Sequence, residues 1–410
     1  MVEAAIVFTI IGASVTLIGA LAGIVRLAVA AVDGRISASQ PSVLLAIGHE
    51  RTAEGIRAGS AALIHGVKKI GFLSFGFWRD VPESQTRSAA DSLLQTIELA
   101  QAAEDIGVDG AFVRVHHFER QLASPFPLLT AIAARTRRIE IGTGVIDMRY
   151  ENPLYMAEEA AAADLISGGR LQLGVSRGSP EIALRGAEAF GYVAPEGETA
   201  ADNARRRTEI FLTAINGAAV ARTDPERTGI SGGLAIQPQS PGLADRIWWG
   251  SGTRATAQWA ATKGMNLQSS TLLTEDTGVP FDQLQAEQIR LYRQAWKEQG
   301  WDREPRVSVS RSVLPITEDV DRLYFGDRGE DDQVGLLEGV RSRFGRTYAG
   351  EPDKIADELA ADEAVRAADT VLFTVPNQLG VEYNARMLGT IARHIAPAIG
   401  WRPAGAATAS

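Results

Sequence analysis

From Lys68 onward, short apolar runs alternate with longer segments whose apolar residues recur every three or four positions. Short runs of this kind are typical of buried strands, and the longer periodic segments are typical of amphipathic helices. The apolar runs predict strands at residues 69–75, 110–116, 138–145, 170–176, 245–251, 265–270, 306–314 and 369–375. The periodic segments predict helices, among others at residues 92–107, 153–167, 253–264, 281–299 and 382–396.

The order of these elements predicts the fold class. Strands that alternate with helices form parallel sheets, and eight such units over about 335 residues predict an α/β fold, a closed (β/α)8 TIM barrel. A doubly wound open sheet is the alternative, but its Gly-x-Gly-x-x-Gly turn does not follow the first strand. The residues beyond a minimal barrel should form insertion loops, most clearly at 181–244, with one helix at about 201–216.

The N-terminal part of the chain lacks this alternation. The 22 residues from Ala4 to Val25 carry no charge, and a helix needs roughly 20 apolar residues to span a bilayer. Arg26 and Arg35 follow, so an inserted helix would leave the rest of the chain on the cytoplasmic side. The run is also rich in Ala, Gly, Ser and Thr, so a non-native extension ahead of the barrel is the alternative.

These patterns divide the chain into four expected regions. We expect an apolar segment at 1–32, a linker at 33–66, a TIM barrel at 67–401 and a flexible tail at 402–410. The protein is expected in the cytoplasm. A tether to the inner face of the membrane is expected only if residues 4–25 form an inserted helix.

Composition narrows the range of functions. The chain of 410 residues has a formal net charge of −9, which disfavours binding to the phosphate backbone of nucleic acids. Cysteine is absent, so disulfides, thiolate catalysis and cysteine-based zinc sites are excluded. Two of the five histidines are adjacent, at His116 and His117.

The adjacent histidines close the second predicted strand. Successive strand residues point to opposite faces, so His116 and His117 should point apart and should not bind one metal ion. The remaining histidines have no ligand spacing to them, and no metal site is predicted. A histidine at the C-terminal end of a barrel strand is well placed to transfer a proton or to donate a hydrogen bond. A purely structural pair is the alternative.

Two other strand ends carry residues suited to an anionic ligand. Arg177 lies between Ser176 and Gly178 after the fourth predicted strand, and its guanidinium can bind an anion with two parallel hydrogen bonds. Thr253 and Thr256 open the helix after the fifth strand, where backbone N–H groups and hydroxyls can bind a phosphate. A surface ion pair and an ordinary helix cap are the alternatives. Together the two strand ends favour an anion site.

A wider set of motifs surrounds these residues. It comprises HHF at 116–118, IGTGV at 141–145, ENPLYMAEEAAAADLISGGRLQLGVSRG at 151–178, IWWGSGTRATAQWAATKG at 247–264 and YAGEPDKIADELA at 348–360. With these motifs, residues 68–401 resemble the bacterial luciferase-like flavin monooxygenases. The resemblance implies a TIM barrel, commonly a homodimer, that binds reduced FMN from a separate flavin reductase and uses O2 to oxidise a small organic substrate. A related branch binds the deazaflavin coenzyme F-420 instead and transfers a hydride. A flavin-binding protein without catalysis is a third alternative.

The resemblance also implies roles for individual residues. His116 corresponds to a histidine near the reactive edge of the flavin, and Asn152 to a position directed toward the flavin. Gly144 and Val145 correspond to a non-proline cis peptide against the flavin ring. The phosphate region corresponds to Ser176, Arg177, Gly178, Thr253 and Thr256.

Two departures from the family pattern concern the substrate. Val115 stands where luciferases commonly have an acidic residue before the histidine pair. Ser176 stands where the light-emitting enzymes have a cysteine. Both departures argue against bioluminescence and leave the substrate open.

Overall fold

The computed structural model describes residues 68–178, 181–275, 277–326, 332–337 and 340–403. The predicted apolar segment, the predicted linker and residues 404–410 of the predicted tail lie outside these ranges. Across the described ranges, no helix combines the length and the apolar character needed to cross a membrane.

Eight parallel strands form the core of the protein. Each strand pairs with the next along the chain, and the last pairs with the first through Lys69 and Thr370, so the sheet closes. The predicted TIM barrel is therefore confirmed. The strands are β1 (Lys69–Ser74), β2 (Gly110–Val113), β3 (Glu140–Thr143), β4 (Leu171–Ser176), β5 (Ile247–Ser251), β6 (Asn266–Ser269), β7 (Val307–Pro315) and β8 (Thr370–Val375).

A helix follows every strand and covers the outside of the barrel. The apolar faces of these helices pack on the strands because a parallel sheet is buried on both sides. The helices are α1 (Ala89–Ile106), α2 (Pro125–Arg135), α3 (Pro153–Ser167), α4 (Ala200–Ile215), α5 (Arg254–Thr262), α6 (Phe281–Gln299), α7 (Pro352–Ala361) and α8 (Gly380–Thr390).

Local sequence signals set the ends of these elements. Asn152 accepts hydrogen bonds from the N–H groups of Leu154 and Tyr155, and Pro153 occupies the first turn of α3. Gly168 ends the same helix at a φ of 69°, a conformation that favours glycine. Helix α3 therefore has the predicted bounds. Strand β2 ends three residues earlier than predicted, at Val113.

Most of the remaining elements lie in loops that follow the strands; the helix Glu363–Ala367 instead precedes β8. The predicted insertion at 181–244 contains α4, a short helix at Gly186–Ala189, another at Pro225–Thr228 and an antiparallel hairpin of Ala219–Arg222 with Gly233–Ala235. A second, unpredicted sheet joins Leu272–Leu273, Val340–Phe344 and Gln333–Leu337. It connects the loops that follow β6 and β7. Smaller elements are strands Ile146–Asp147 and Thr347–Gly350, and helices Asp319–Phe325 and Glu363–Ala367.

A buried ion pair links β7 to the short helix at 363–367. The guanidinium of Arg311 donates to both carboxylate oxygens of Asp362 at 2.7 and 2.9 Å, and each side chain is at most 2% exposed. Tyr348 donates a further hydrogen bond to Asp362 at 2.6 Å. Burial alone would raise the pKa of Asp362, but the charge and hydrogen bonds of Arg311 hold that pKa below its ordinary value.

We expect Asp362→Asn to lower the free energy of unfolding by about 3–5 kcal/mol at neutral pH, because Arg311 would remain buried without its counter-charge. The folded-state pKa of Asp362 is depressed, so its stabilising contribution is present above the unfolded-state pKa of about 3.9 and is lost as the pH falls further. Urea unfolding at several pH values measures this. The exposed Asp353, changed to Asn, is the control, with an expected effect within about 0.5 kcal/mol. Equal losses in the two variants would contradict the expectation.

Candidate functional site

A cavity of about 550 Å³ opens at the C-terminal ends of the barrel strands. All eight strands, or the residues directly after them, contribute to its wall. Its volume lies within the range of small-molecule sites, and its position is that of TIM-barrel active sites.

The structure brings most of the predicted site residues together in this cavity. Its lining includes His116, Gly144, Val145, Ser176, Arg177, Gly178, Thr253 and Thr256. Asn152 is not part of the lining, and its side-chain oxygen caps α3 instead. Shared position in one cavity is a precondition for the predicted roles, which remain predictions.

The expectation that the second strand continues to His116 is wrong, because β2 ends at Val113 and the chain then turns. The backbone N–H of His116 donates to the carbonyl of Leu122 at 2.8 Å, and Phe118 has a φ of 60°. Strand alternation therefore does not determine the directions of the two histidines, and both residues line the cavity.

His117 packs in an aromatic cluster at the cavity wall. Its ring stacks on Tyr150 with a centroid distance of 4.2 Å, and Phe190 meets both rings edge-on. Burial and the nearby charge of Arg149 lower the pKa of His117. The neutral imidazole is therefore favoured at neutral pH. Within the described ranges, no three His, Asp or Glu side chains come together as a metal site.

His116 lies beside a carboxylate that sequence reasoning missed. Its buried Nδ1 is 3.4 Å from Oε1 of Glu119, and the amide of Gln121 donates to the other carboxylate oxygen at 2.7 Å. Burial raises the pKa of Glu119, and the charge of Arg114 opposes that shift. Nδ1 of His116 is thus the ring nitrogen beside the carboxylate, and the residue lines the cavity. The only sequence signal for this pair was that Glu119 follows His116 by three residues.

The two predicted anion-binding strand ends belong to the neighbouring strands β4 and β5, and both line the cavity. After β4, the N–H of Gly178 donates to the Ser176 hydroxyl at 2.7 Å, which shapes the turn that carries Arg177. At the start of α5, the Thr253 hydroxyl accepts from the N–H of Thr256 at 3.2 Å. An arginine and a helix N-terminus in one cavity are complementary to a phosphate.

One backbone N–H group in the first turn of α5 already has a hydrogen-bond partner within the protein. The N–H of Arg254 donates to the carboxylate of Glu275 at 3.0 Å. Ala255 lines the cavity between the two threonines. The hydroxyls of Thr253 and Thr256 are 2.9 Å apart, and both residues line the cavity. An incoming anion would therefore be bound by Arg177, these hydroxyls and the middle of the first turn rather than by its first N–H.

An acidic pair that the sequence analysis did not single out lies near Arg177. Asp147 and Glu181 both line the cavity, and Arg149 lies 2.6 Å from Asp147 and 3.6 Å from Glu181. The Tyr150 hydroxyl also donates to Glu181. Burial raises the pKa of Asp147, and the hydrogen bonds and charge of Arg149 oppose that shift.

The Gly144–Val145 peptide bond is cis, as the resemblance implied. Both residues line the cavity directly after β3. Beneath them, the Gln268 amide donates to the carbonyl of Thr143 at 3.0 Å. A side chain at Gly174 would meet that carbonyl at 2.3 Å, so glycine is required for the close approach of β3 and β4.

Comparison with known proteins identifies the family. The family model described as luciferase-like monooxygenase matches residues 71–323, more than half of the chain. The chain belongs to the luciferase-like monooxygenase family. The model covers the barrel from β1 through β7, and with it the strand ends that carry His116, Arg177 and Thr253.

Two relatives show how far the sequence similarity extends. This luciferase-like chain is 30% identical over 201 residues to the uncharacterised protein y4wF of Sinorhizobium fredii, covering 48% of this chain and 55% of that protein. It is 34% identical over 87 residues to the oxygenase component of flavin-dependent trigonelline monooxygenase from Acinetobacter baylyi, covering 21% of this chain and 24% of that protein. These matches span little more than half, or about a quarter, of the relatives.

Solved structures show the fold over a greater length. The oxygenating constituent of 3,6-diketocamphane monooxygenase from Pseudomonas putida, in complex with FMN, aligns at a TM-score of 0.58 and 16% identity, over 81% of this chain and 99% of that one. An F420-dependent tetrahydromethanopterin reductase from Methanopyrus kandleri aligns at 0.53 and 15% identity, over 81% and 99%. The same barrel is thus found with either type of cofactor.

We expect Gly178→Ala to cost more stability than a matched change at Gly191. Both glycines have a φ near +80°, at 84° and 82°, so alanine should cost about 1–2 kcal/mol at either position. At Gly178 the added Cβ would also lie 1.9 Å from Oδ2 of Asp147, whereas at Gly191 nothing lies within 4 Å. The clash should add about 1–3 kcal/mol. Urea unfolding of both variants measures the difference, and equal losses would show that the Asp147 contact is unimportant.

Proposed function

We propose that this family member is an FMN-dependent monooxygenase that uses reduced FMN and O2 to oxidise a small organic substrate. The observation that carries the proposal is the presence of a phosphate-complementary strand end and a histidine in one cavity. The cis peptide at 144–145 lies in the wall of the same cavity. The relative from Acinetobacter baylyi, named as a flavin-dependent oxygenase component, supports the flavin assignment.

The residues of the cavity suit the groups of FMN. Arg177 and the hydroxyls of Thr253 and Thr256 would bind its phosphate through charge-assisted and neutral hydrogen bonds. Gly144 and Val145 would form the surface on which the ring rests, with Trp249 and Gly250 also in the lining. Reduced FMN, when bound, supplies the electrons with which O2 is activated.

His116 would move the proton in the proposed reaction. With Nδ1 toward Glu119, its Nε2 can donate a proton to, or accept one from, an oxygen-derived group in the cavity. The packed aromatic residues around His117 would help to exclude water from this region. Val115 is buried in the core and carries no acid for this step.

The proposed reaction needs reduced flavin from elsewhere. We propose a transient flavin reductase partner, since the trigonelline relative is named as the oxygenase component of its enzyme. We also propose a homodimer, as the resemblance implies.

A coenzyme F-420-dependent oxidoreductase is the second candidate function. An F420-dependent glucose-6-phosphate dehydrogenase from Amycolatopsis mediterranei is 36% identical to this chain over 100 residues, which supports this second candidate. Titration of the purified protein with reduced FMN and with reduced F-420 under anaerobic conditions separates the two. FMN binding, followed on aeration by oxygen consumption at a rate clearly different from that of the same concentration of free reduced FMN, supports the monooxygenase. Selective binding of F-420, with no oxygen consumption, would replace it by the second candidate.

We expect Arg177→Ala to weaken FMN binding by about 1.5–3 kcal/mol, on the order of 10- to 100-fold in Kd, because it removes charge-assisted hydrogen bonds to the phosphate. Riboflavin, which lacks the phosphate, should bind both proteins alike. Fluorescence titration measures both ligands. Arg137→Ala, at an exposed position before β3, is the control. An unchanged FMN Kd would place the phosphate away from Arg177.

We expect His116→Ala to lower substrate-dependent oxygen consumption by about 100-fold or more, because a positioned acid or base contributes about that much. The Kd of FMN should stay within about twofold, since the imidazole is not assigned to the phosphate. His394→Ala, at an exposed position near the C-terminus, is the control. Unaltered oxygen consumption would instead support a flavin-binding protein in which His116 is not catalytic.

A further inference from the structure

Three arginines line the cavity: Arg177, Arg205, which lies 3.7 Å from Asp202, and Arg114, which no role in the proposed function uses. Arg114 follows β2 directly, and its backbone N–H donates to the carbonyl of Ser74 at 2.9 Å, where β1 ends. Its guanidinium carbon lies 4.9 Å from the ring centre of Phe75. Both side chains line the cavity. A guanidinium stacked on an aromatic face keeps its N–H groups at the edge, where they can meet a planar anion.

The charge of Arg114 lies at a half-buried position in the cavity wall. Burial lowers the pKa of the guanidinium to about 10, and the attraction of the Glu119 carboxylate offsets only part of this shift. Glu119 itself also faces His116 and accepts a hydrogen bond from Gln121. An anion that entered the cavity next to Arg114 would therefore gain from a cation that water solvates weakly.

The wall beside Arg114 is apolar. Leu73 and Leu372 pack together in a buried cluster with Phe112, and Phe75 packs against that cluster. Leu73, Phe75 and Leu372 all line the cavity. This wall can bury the hydrocarbon part of a ligand, while the arginine at its edge binds an anionic group.

We propose that Arg114 anchors a carboxylate of the organic substrate, so that the enzyme acts on organic acids with an apolar body. This inference rests on the proposed function, because it assigns the phosphate of FMN to Arg177 and leaves Arg114 for the substrate. A carboxylate is favoured because its two oxygens match the two parallel N–H groups of a guanidinium.

The test compares acids with their neutral amides. Phenylacetate and hexanoate, with phenylacetamide and hexanamide, are titrated by calorimetry into the protein with and without oxidised FMN. The wild-type protein should bind each acid more tightly than its amide by about tenfold or more, since a hydrogen bond to a charged group contributes about 1.5–3 kcal/mol. Arg114→Met should abolish this preference and change amide binding by less than about twofold. Arg114→Lys, which keeps the charge but lacks the two parallel N–H groups of the guanidinium, should retain part of the preference for acids.

The control is a second arginine in a similar setting outside the cavity. Arg120 is exposed, and its guanidinium carbon lies 5.2 Å from the ring centre of Trp78. Arg120→Met should keep the full preference for acids. Equal binding of acid and amide by the wild-type protein would overturn the proposal, even if Arg114→Met proved unstable.

A second outcome would also overturn it. If Arg114→Met weakens binding of reduced FMN and leaves the preference for acids intact, Arg114 binds the cofactor and not the substrate. Failure of the proposed function has a different signature. In that case FMN does not bind the wild-type protein, whereas the preference for acids is still measured without flavin.

Discussion

The parallel closure of the barrel is the constraint on which the site depends. Because every strand runs in the same direction, all eight carboxyl ends meet at one rim. Residues that are far apart in sequence, such as His116, Arg177 and Thr253, therefore line one cavity. Gly142 and Gly174 let the backbones of β3 and β4 approach each other closely. The closed sheet holds the strand ends in fixed relative positions, and the residues that follow the strands supply the functional side chains.

The cavity separates its charges by position. Arg177 and the threonine hydroxyls lie at the ends of β4 and β5, whereas Arg114 and His116 follow β2. The two acidic residues of the cavity are paired. Arg149 contacts both Asp147 and Glu181, and Tyr150 donates a hydrogen bond to Glu181. Two cationic regions in one cavity suit a reaction in which a phosphorylated cofactor and an anionic substrate bind side by side. The first assignment is the proposed function, and the second is the further inference built on it.

Much of the fold could be predicted from sequence because its signals are local. The apolar runs of all eight barrel strands and the cap signals of α3 need no knowledge of distant residues. Strand β2 shows the limit. Its apolar run continues to Val115, which is buried, but the chain leaves the sheet after Val113. The pattern records burial and not hydrogen bonding, so the end of the strand was predicted three residues too late. Glu119, Asp147 and the sheet around 333–344 were missed because their partners are set by loop packing.

A crystal structure of the protein with FMN tests the proposed binding site, with the phosphate at Arg177 and the ring against residues 144–145. Phosphate oxygens are expected within about 3.2 Å of Arg177 and of the Thr253 or Thr256 hydroxyl, with the flavin ring between Val145 and His116. A phosphate bound elsewhere, with the ring away from His116, would contradict it.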